Sequence, residues 1–149
     1  MSIRIARASD TLAISSLVKS MAHFYLDDPK KELPDWLAET LTEKAFLKRI
    51  SEGGFLNYVY ERSGSIVGYI SLKEPNHLYH LFVSEQFQGN GIARALWEHV
   101  QQSVECDFFT LRSSIYAVPV YKKFGFTESG PLGAKDGISF QPMELVPKC

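Results

Sequence analysis

The residues best placed to do chemistry lie in Val83-Ser-Glu-Gln-Phe-Gln-Gly-Asn-Gly-Ile-Ala-Arg, where Gly89 and Gly91 separate two apolar segments. Upstream, Leu78, Leu81, Phe82 and Val83 have strand-like composition; downstream, Ile92, Leu96, Val100 and Val104 recur every fourth residue, with Ala93 and Trp97 alongside. The pattern predicts a strand that turns directly into an amphipathic helix. A helix start leaves backbone N–H groups unpaired at the positive end of the helix dipole, and glycine lets a ligand approach that backbone closely. The chemistry suited to such a place is phosphate binding. Two common phosphate loops fail on the residues themselves. A P-loop needs Lys-Ser or Lys-Thr after its second glycine, where Ile92-Ala93 stand, and the dinucleotide fingerprint needs a third glycine at the position of Arg94. On the loop alone, a glycine-rich turn without a ligand is the competing reading.

The elements that must position this loop can be read along the chain. Ser2–Arg7 alternates around Ile3 and Ile5 as a strand, and Ser9-Asp10 offers an N-cap to a helix whose stripe is Leu12, Ile14, Leu17, Val18, Met21 and Tyr25. Leu26–Pro34, with two prolines and five charges, reads as a loop, and Thr40-x-x-Glu43 as a capping box opening a second helix that buries Phe46, Leu47 and Ile50 before Gly53-Gly54. Phe55–Arg62 and Ser65–Lys73 flank Ser63-Gly64 as a hairpin, and Pro75-Asn76 turns into the strand His77–Val83. After the loop helix, Phe108–Arg112 is a strand; a strand–helix–strand unit of this size favours parallel pairing. Ser113 or Ser114 caps a short helix with Pro119 in its first turn and Gly125 as its stop, and Phe126–Ser129 and Ile138–Leu145 are the last strands, either side of a glycine-rich stretch.

Composition narrows the function classes. The 149 residues suffice for one domain, 1–149, with a core of its own. Sixteen basic against seventeen acidic side chains, net −1, carry no basic excess of the kind a nucleic-acid surface needs. No apolar run reaches the roughly 18 residues of a membrane span, and Met1-Ser-Ile-Arg-Ile-Ala-Arg has no signal-peptide apolar core, so a cytoplasmic location is expected. Cys106 and Cys149 lack metal-ligand spacing and read as free thiols; no metal is expected.

Gln86-x-x-Gly89-x-Gly91 resembles the acyl-coenzyme A loop of GNAT-type N-acetyltransferases, a Gln/Arg-x-x-Gly-x-Gly/Ala segment that wraps the coenzyme pyrophosphate. Ser114-Ile-Tyr-Ala117-Val-Pro-Val-Tyr121-Lys-Lys-Phe-Gly125-Phe126 is similar to that family's Asn-x-x-Ala-x-x-x-Tyr-x-x-x-Gly-Phe, with Ser114 where asparagine is usual. The order of elements matches as well. The resemblance implies an α/β GNAT-like fold: a mixed, mostly antiparallel sheet of about seven strands with a central parallel pair, flanked by about four helices. It also implies acetyl-CoA as co-substrate, with the backbone of Leu81, Phe82 and Val83 pairing with the pantetheine arm and one N–H holding the thioester oxygen. Gln88, Gly89, Asn90, Gly91, Ile92, Ala93 and Arg94 would bind the pyrophosphate, and Ser114 offers a hydroxyl where an amide is usual. Tyr121 would stand beside the sulfur and protonate the departing thiolate, since a phenol of pKa about 10 is protonated at pH 7. A core aromatic of a short helix is the bland alternative for Tyr121.

An attacking amine must lose a proton, and the candidate bases near the implied site are His77, then Glu74, with His80 also considered. On a regular strand His77, Tyr79 and Leu81 share one side and His80 the other, so at most one histidine faces the substrate unless the strand bulges. Each can equally be an ordinary surface or core-edge residue. The acids Asp27, Asp28, Glu32 and Asp35 near Trp36 could attract a cationic amine or be solvated loop charges. The expected activity is transfer of acetyl to a primary amine of a small molecule or peptide, by direct attack through a tetrahedral intermediate. The alternatives are a non-catalytic acyl-CoA-binding module and transfer of a longer acyl chain. The resemblance also allows a homodimer through the last strands, which no residue specifies.

Overall fold

The computed structural model describes residues 2–28, 30–106 and 108–146. Aromatic and β-branched residues between Phe55 and Lys73 form a hairpin of β2 (Phe55–Arg62) and β3 (Ser65–Lys73), closed by Ser63-Gly64 with both residues at positive φ (52° and 80°), the conformation that matches strand twist. β1 (Ser2–Ile5) joins the free edge of β2, and β4 (His77–Val83) pairs with β3. The chain then crosses over through α4 (Ile92–Ser103) and returns as β5 (Phe109–Ser114), which pairs parallel with β4. β8 (Ile138–Leu145) pairs with β5, and both β6 (Thr127–Glu128) and β7 (Gly133–Lys135) pair with β8. The order is β1-β2-β3-β4-β5-β8-β6, with β7 beside β8. The remaining helices are α1 (Thr11–Met21), α2 (Asp35–Thr40), α3 (Glu43–Ser51) and α5 (Val118–Lys123).

Each face of the sheet buries its own core. On one, Ile70, Leu72, Leu78, Leu111 and Met143 meet Leu96, Trp97 and Val100 of α4, with Tyr121 and Phe126. Trp97 is central there, its ring 4.9 Å from Phe109 and 5.3 Å from Phe126. On the other face, Val59, Tyr69 and Phe82 pack beneath Ile14, Val18 and Met21 of α1, Leu41, and Phe46 of α3. Among the described residues, no helix is long and apolar enough to cross a membrane. Cys106 is a free thiol; Cys149 lies outside the described residues.

The mixed, mostly antiparallel sheet with its central parallel pair is as expected, with one more strand and one more helix. The added strand, β7, falls inside the glycine-rich stretch and exists only because the turn at Asp136-Gly137, with φ of 51° and 81°, folds it onto β8. The added helix, α2, precedes the expected capping box. Its end at Thr40 moves the N-cap of α3 to Thr42, whose Oγ1 accepts from the Ala45 N–H at 3.1 Å. Asp10 does not cap α1 with its side chain; its carboxylate takes two hydrogen bonds from the Arg4 guanidinium, at 2.8 and 2.9 Å, and one from the Arg7 N–H at 2.7 Å. Arg4 holds that carboxyl below its ordinary pKa. Leu12 and Leu47 are exposed, so both buried stripes are narrower than the periodicity suggested.

α4 packs directly over Gly68 of β3, where an added Cβ would lie 3.0 Å from Leu96 Cδ1, 3.1 Å from Ile92 Cγ2 and 3.2 Å from Tyr60 Cβ. Gly68→Ala is therefore expected to cost about 1–3 kcal/mol by overpacking. Urea unfolding measures it; a loss below about 0.5 kcal/mol would show that α4 is free to shift outward.

Candidate active site

The site begins where β4 and β5 part. Their parallel register holds for two pairs only, His77↔Thr110 and Leu78↔Leu111, so the edge of β4 from Tyr79 to Val83 has no strand partner on the β5 side. Its other edge stays paired with β3 up to Val83↔Gly68. Unpaired backbone groups at a sheet edge are a template for an extended ligand. The opening between the strands is a cleft of about 540 Å³, lined from β4 by Leu78, Tyr79 and Leu81–Val83, and across it by Arg112, Ser114 and Tyr121.

The loop and helix start form the mouth of this cleft. Gly89 and Gly91 hold φ of 83° and 78°, and a Cβ on either would meet nothing within 4 Å; backbone conformation, not crowding, calls for glycine there. Gly91 is the N-cap of α4, no side chain caps the helix, and the Ala95 N–H bonds the Gly91 carbonyl at 3.0 Å. The amides of Ile92, Ala93 and Arg94 therefore have no carbonyl four residues back within the helix, at the positive end of its dipole. Arg94 donates to the Lys123 carbonyl at 3.1 Å and lies over the Phe124 ring, so two cations flank the mouth. The set fits a diphosphate: free amides, two basic side chains and open space above two glycines.

Deeper in, Gln88 Nε2 donates to the Val83 carbonyl at 3.1 Å while its Oε1 accepts from the Tyr116 hydroxyl at 3.1 Å. Tyr116 stacks on Phe24, with centroids 4.2 Å apart and planes at 15°. Ser114 Oγ accepts from the Ala117 N–H at 3.2 Å and so caps the 3-10 turn before α5, as its position predicts. Tyr121 is buried against Phe126, and burial raises its pKa; burial likewise raises that of Tyr25, which has Tyr121 and Tyr79 as neighbours. Both phenols therefore stay neutral well above physiological pH.

Of the residues singled out from sequence, Leu81, Phe82, Val83, Gln88, Gly89, Gly91, Ile92, Ala93, Arg94, Ser114 and Tyr121 line the one cleft. Asn90 does not; its amide turns back to donate to the Phe87 carbonyl at 2.9 Å. Nor do His77 and Glu74. Glu74 is exposed in the turn before β4. His77 Nδ1 lies 2.8 Å from Thr110 Oγ1, and its pKa is lowered first by partial burial, then by Arg112 and Lys73. The acids Asp27, Asp28, Glu32 and Asp35 also lie outside the cleft wall, and the Trp36 indole donates to Asp136 at 2.7 Å.

The strand does bulge. Leu72 opposes Leu78 but Ser71 opposes His80, leaving Tyr79 as the extra residue. The alternation of His77 and His80 is thereby undone, and both lie on the α1–α3 face: His77 meets Thr110, which alternates with the α4-facing Phe109 and Leu111, and His80 packs against Phe46, Tyr69 and Phe82. His80 is buried with neither ring nitrogen hydrogen-bonded, and desolvation pushes its pKa down to about 3. Sequence reading did not single out Tyr79, Tyr116, Phe24 or Arg112 as site residues. A bulge and a stacked pair formed by Phe24 and Tyr116, from opposite ends of the chain, leave no periodic trace, and Tyr25, read as the last residue of the first helical stripe, lies beyond the end of α1 at Met21.

Residues 25–147 match the family model described as an acetyltransferase (GNAT) domain. No curated protein matches the sequence. Among solved structures, a GCN5-related N-acetyltransferase from Rhodopseudomonas palustris superposes with a TM-score of 0.82 at 21% identity, covering 98% of this chain and 95% of that one. The PaiA N-acetyltransferase of Thermoplasma acidophilum, solved with coenzyme A, gives 0.79 at 16% identity and covers 98% of each chain. A ribosomal-protein-alanine N-acetyltransferase from Brucella melitensis gives 0.72 at 20% identity, covering 99% of this chain and 100% of that one.

Because His80 has a lower pKa folded than the ordinary 6.5, the unfolded chain binds its proton first, and stability falls as pH drops from 6.5 toward 3. The slope from this group approaches about 1.4 kcal/mol per pH unit in that window. Urea titrations between pH 4 and 7 on the protein and on His80→Phe should show a shallower pH dependence in the variant; identical slopes would mean that His80 titrates normally.

Proposed function

The chain belongs to the GNAT acetyltransferase family, and from that premise we propose that it transfers acetyl from acetyl-CoA to a primary amine of a small molecule or peptide by direct attack. The observation that carries this reading is the meeting, in one cleft, of an unpaired strand edge, an uncapped helix start and a buried neutral phenol. The proposal assigns the phosphates to the amides at the start of α4 with Arg94 and Lys123, and the pantetheine arm to the free edge of β4 at Leu81–Val83. Gln88 occupies the Val83 carbonyl in the free protein and would turn aside as the arm pairs there.

Bound there, acetyl-CoA supplies a thioester whose carbon is the electrophile. The amine nitrogen attacks that carbon, the new C–N bond forms, and the C–S bond breaks. A backbone N–H of the β4 edge stabilises the charge that develops on the thioester oxygen. Tyr121 gives its hydroxyl proton to the departing thiolate and recovers one from solvent. Burial keeps that proton in place until the thiolate forms, because it disfavours the phenolate. Among the described residues no carboxylate lines the cleft. The amine proton is therefore assigned to His77, rather than the exposed Glu74, through intervening water. The lowered pKa of His77 leaves it neutral and able to accept at pH 7.

Tyr121→Phe removes only the hydroxyl and preserves the ring packing against Phe126. General acid catalysis is worth about 10²–10⁴-fold, so the expected result is a fall of that order in kcat with the coenzyme Kd changed less than threefold. Thiol release and calorimetry measure the two quantities, and undiminished kcat would remove Tyr121 from the mechanism.

A further inference from the structure

The charges on the cleft wall are all of one sign: Arg94, Lys123 and Arg112. Arg94 and Lys123 are joined at the mouth, by the start of α4, and are accounted for by an anionic diphosphate there. Arg112 is not. It stands on β5 one residue beyond the last β4–β5 pair, where the strands separate, and its alternation with Leu111 and Ser113 puts it on the face away from α4. That is the α1 side of the fork, where Phe24, Tyr25 and Tyr79 also line the cleft.

Arg112 is exposed on this side, and the residue opposite it in register on β8 is Pro142 rather than an acid. Its guanidinium lies 5.3 Å over the Phe140 ring, which orients it, and it forms no ion pair among the described residues. Glu144 is the nearest carboxylate by register, on β8 opposite Thr110, and is neither bonded to Arg112 nor on the cleft wall. The neighbouring Lys73 and His77 on this side add no negative charge. A planar fork of N–H donors stacked on an aromatic ring and open to a cleft is suited to a carboxylate, which it binds with two parallel hydrogen bonds. The same field opposes a polycation.

Resting on the transfer reading above, we propose that the acceptor amine carries a carboxylate and an apolar body, as in an apolar amino acid: Arg112 holds the carboxylate and the aromatic wall of Phe24, Tyr25 and Tyr79 takes the rest. Arg112 is here a specificity residue for the acceptor, distinct from the groups assigned to the coenzyme.

Calorimetric titration with coenzyme A comes first, because absence of binding would sink the transfer reading itself. With binding established, thiol release from acetyl-CoA is measured with L-phenylalanine and L-methionine, their carboxamides, and spermidine. Expected is a kcat/KM at least tenfold higher for the acids than for the amides, with spermidine poorest. In Arg112→Gln the acid-to-amide ratio should fall close to one, chiefly through a higher KM for the acid, and Arg112→Lys should restore part of it. Coenzyme binding with no transfer to either acid, equal or better use of the amides or spermidine, or an Arg112→Gln variant that keeps the ratio would each overturn the proposal.

Discussion

The structure depends on the parting of β4 and β5. Backbone N–H and C=O groups must find partners, and a central strand normally finds them on both sides. Here the parallel ladder lasts two residue pairs and stops, while β3 continues to hold the other edge of β4 to its end. A half-paired strand in the middle of a sheet can be kept only if the layers on either face are rigid enough to hold the strands apart. Trp97 and Leu96 on one face, and Phe46 and Ile14 on the other, are fully or almost fully buried and supply that rigidity. The open edge, the helix N-terminus that follows it and the tyrosine across from it meet at this one interruption in hydrogen bonding.

Burial sets the chemistry of the groups around the opening. It holds Tyr121 and Tyr25 in their neutral, proton-bearing forms, and it holds His80 neutral in the opposite sense, by penalising its cation. The charged side chains of the cleft wall are cations. A site with neutral donors, basic flanks and, among the described residues, no carboxylate on its wall suits an anionic ligand at one end. In the transfer proposed above, deprotonation of the acceptor would fall to His77 rather than to a carboxylate in contact.

Legibility from sequence followed the range of the interactions. The hairpin at Ser63-Gly64, the strand–loop–helix around Gly89 and Gly91, and the cap at Ser114 are local, and their residue types announce them. Capping chemistry was ambiguous where several hydroxyl or acidic residues lay close together: α3 is capped by Thr42 rather than Thr40, and Asp10 serves Arg4 instead of the helix end. The parity of β4 failed for a different reason. The extra residue at Tyr79 belongs to the pairing with β3, and a strand read alone has no register to violate.

By itself, the sequence determined the order of elements, the family resemblance and the strand–loop–helix stretch proposed for the phosphates, because periodicity, glycine at positive φ and the helix start are properties of contiguous residues. Tertiary structure alone decided which side chains share the cleft. Phe24 reaches Tyr116, Gln88 reaches Val83, and Arg112 lies over Phe140 beyond the fork with no ion pair among the described residues, while Glu74 and His77 stay off the wall. Those choices depend on where two strands diverge and on which face a bulge turns a residue, and both are set by packing between segments far apart in the chain.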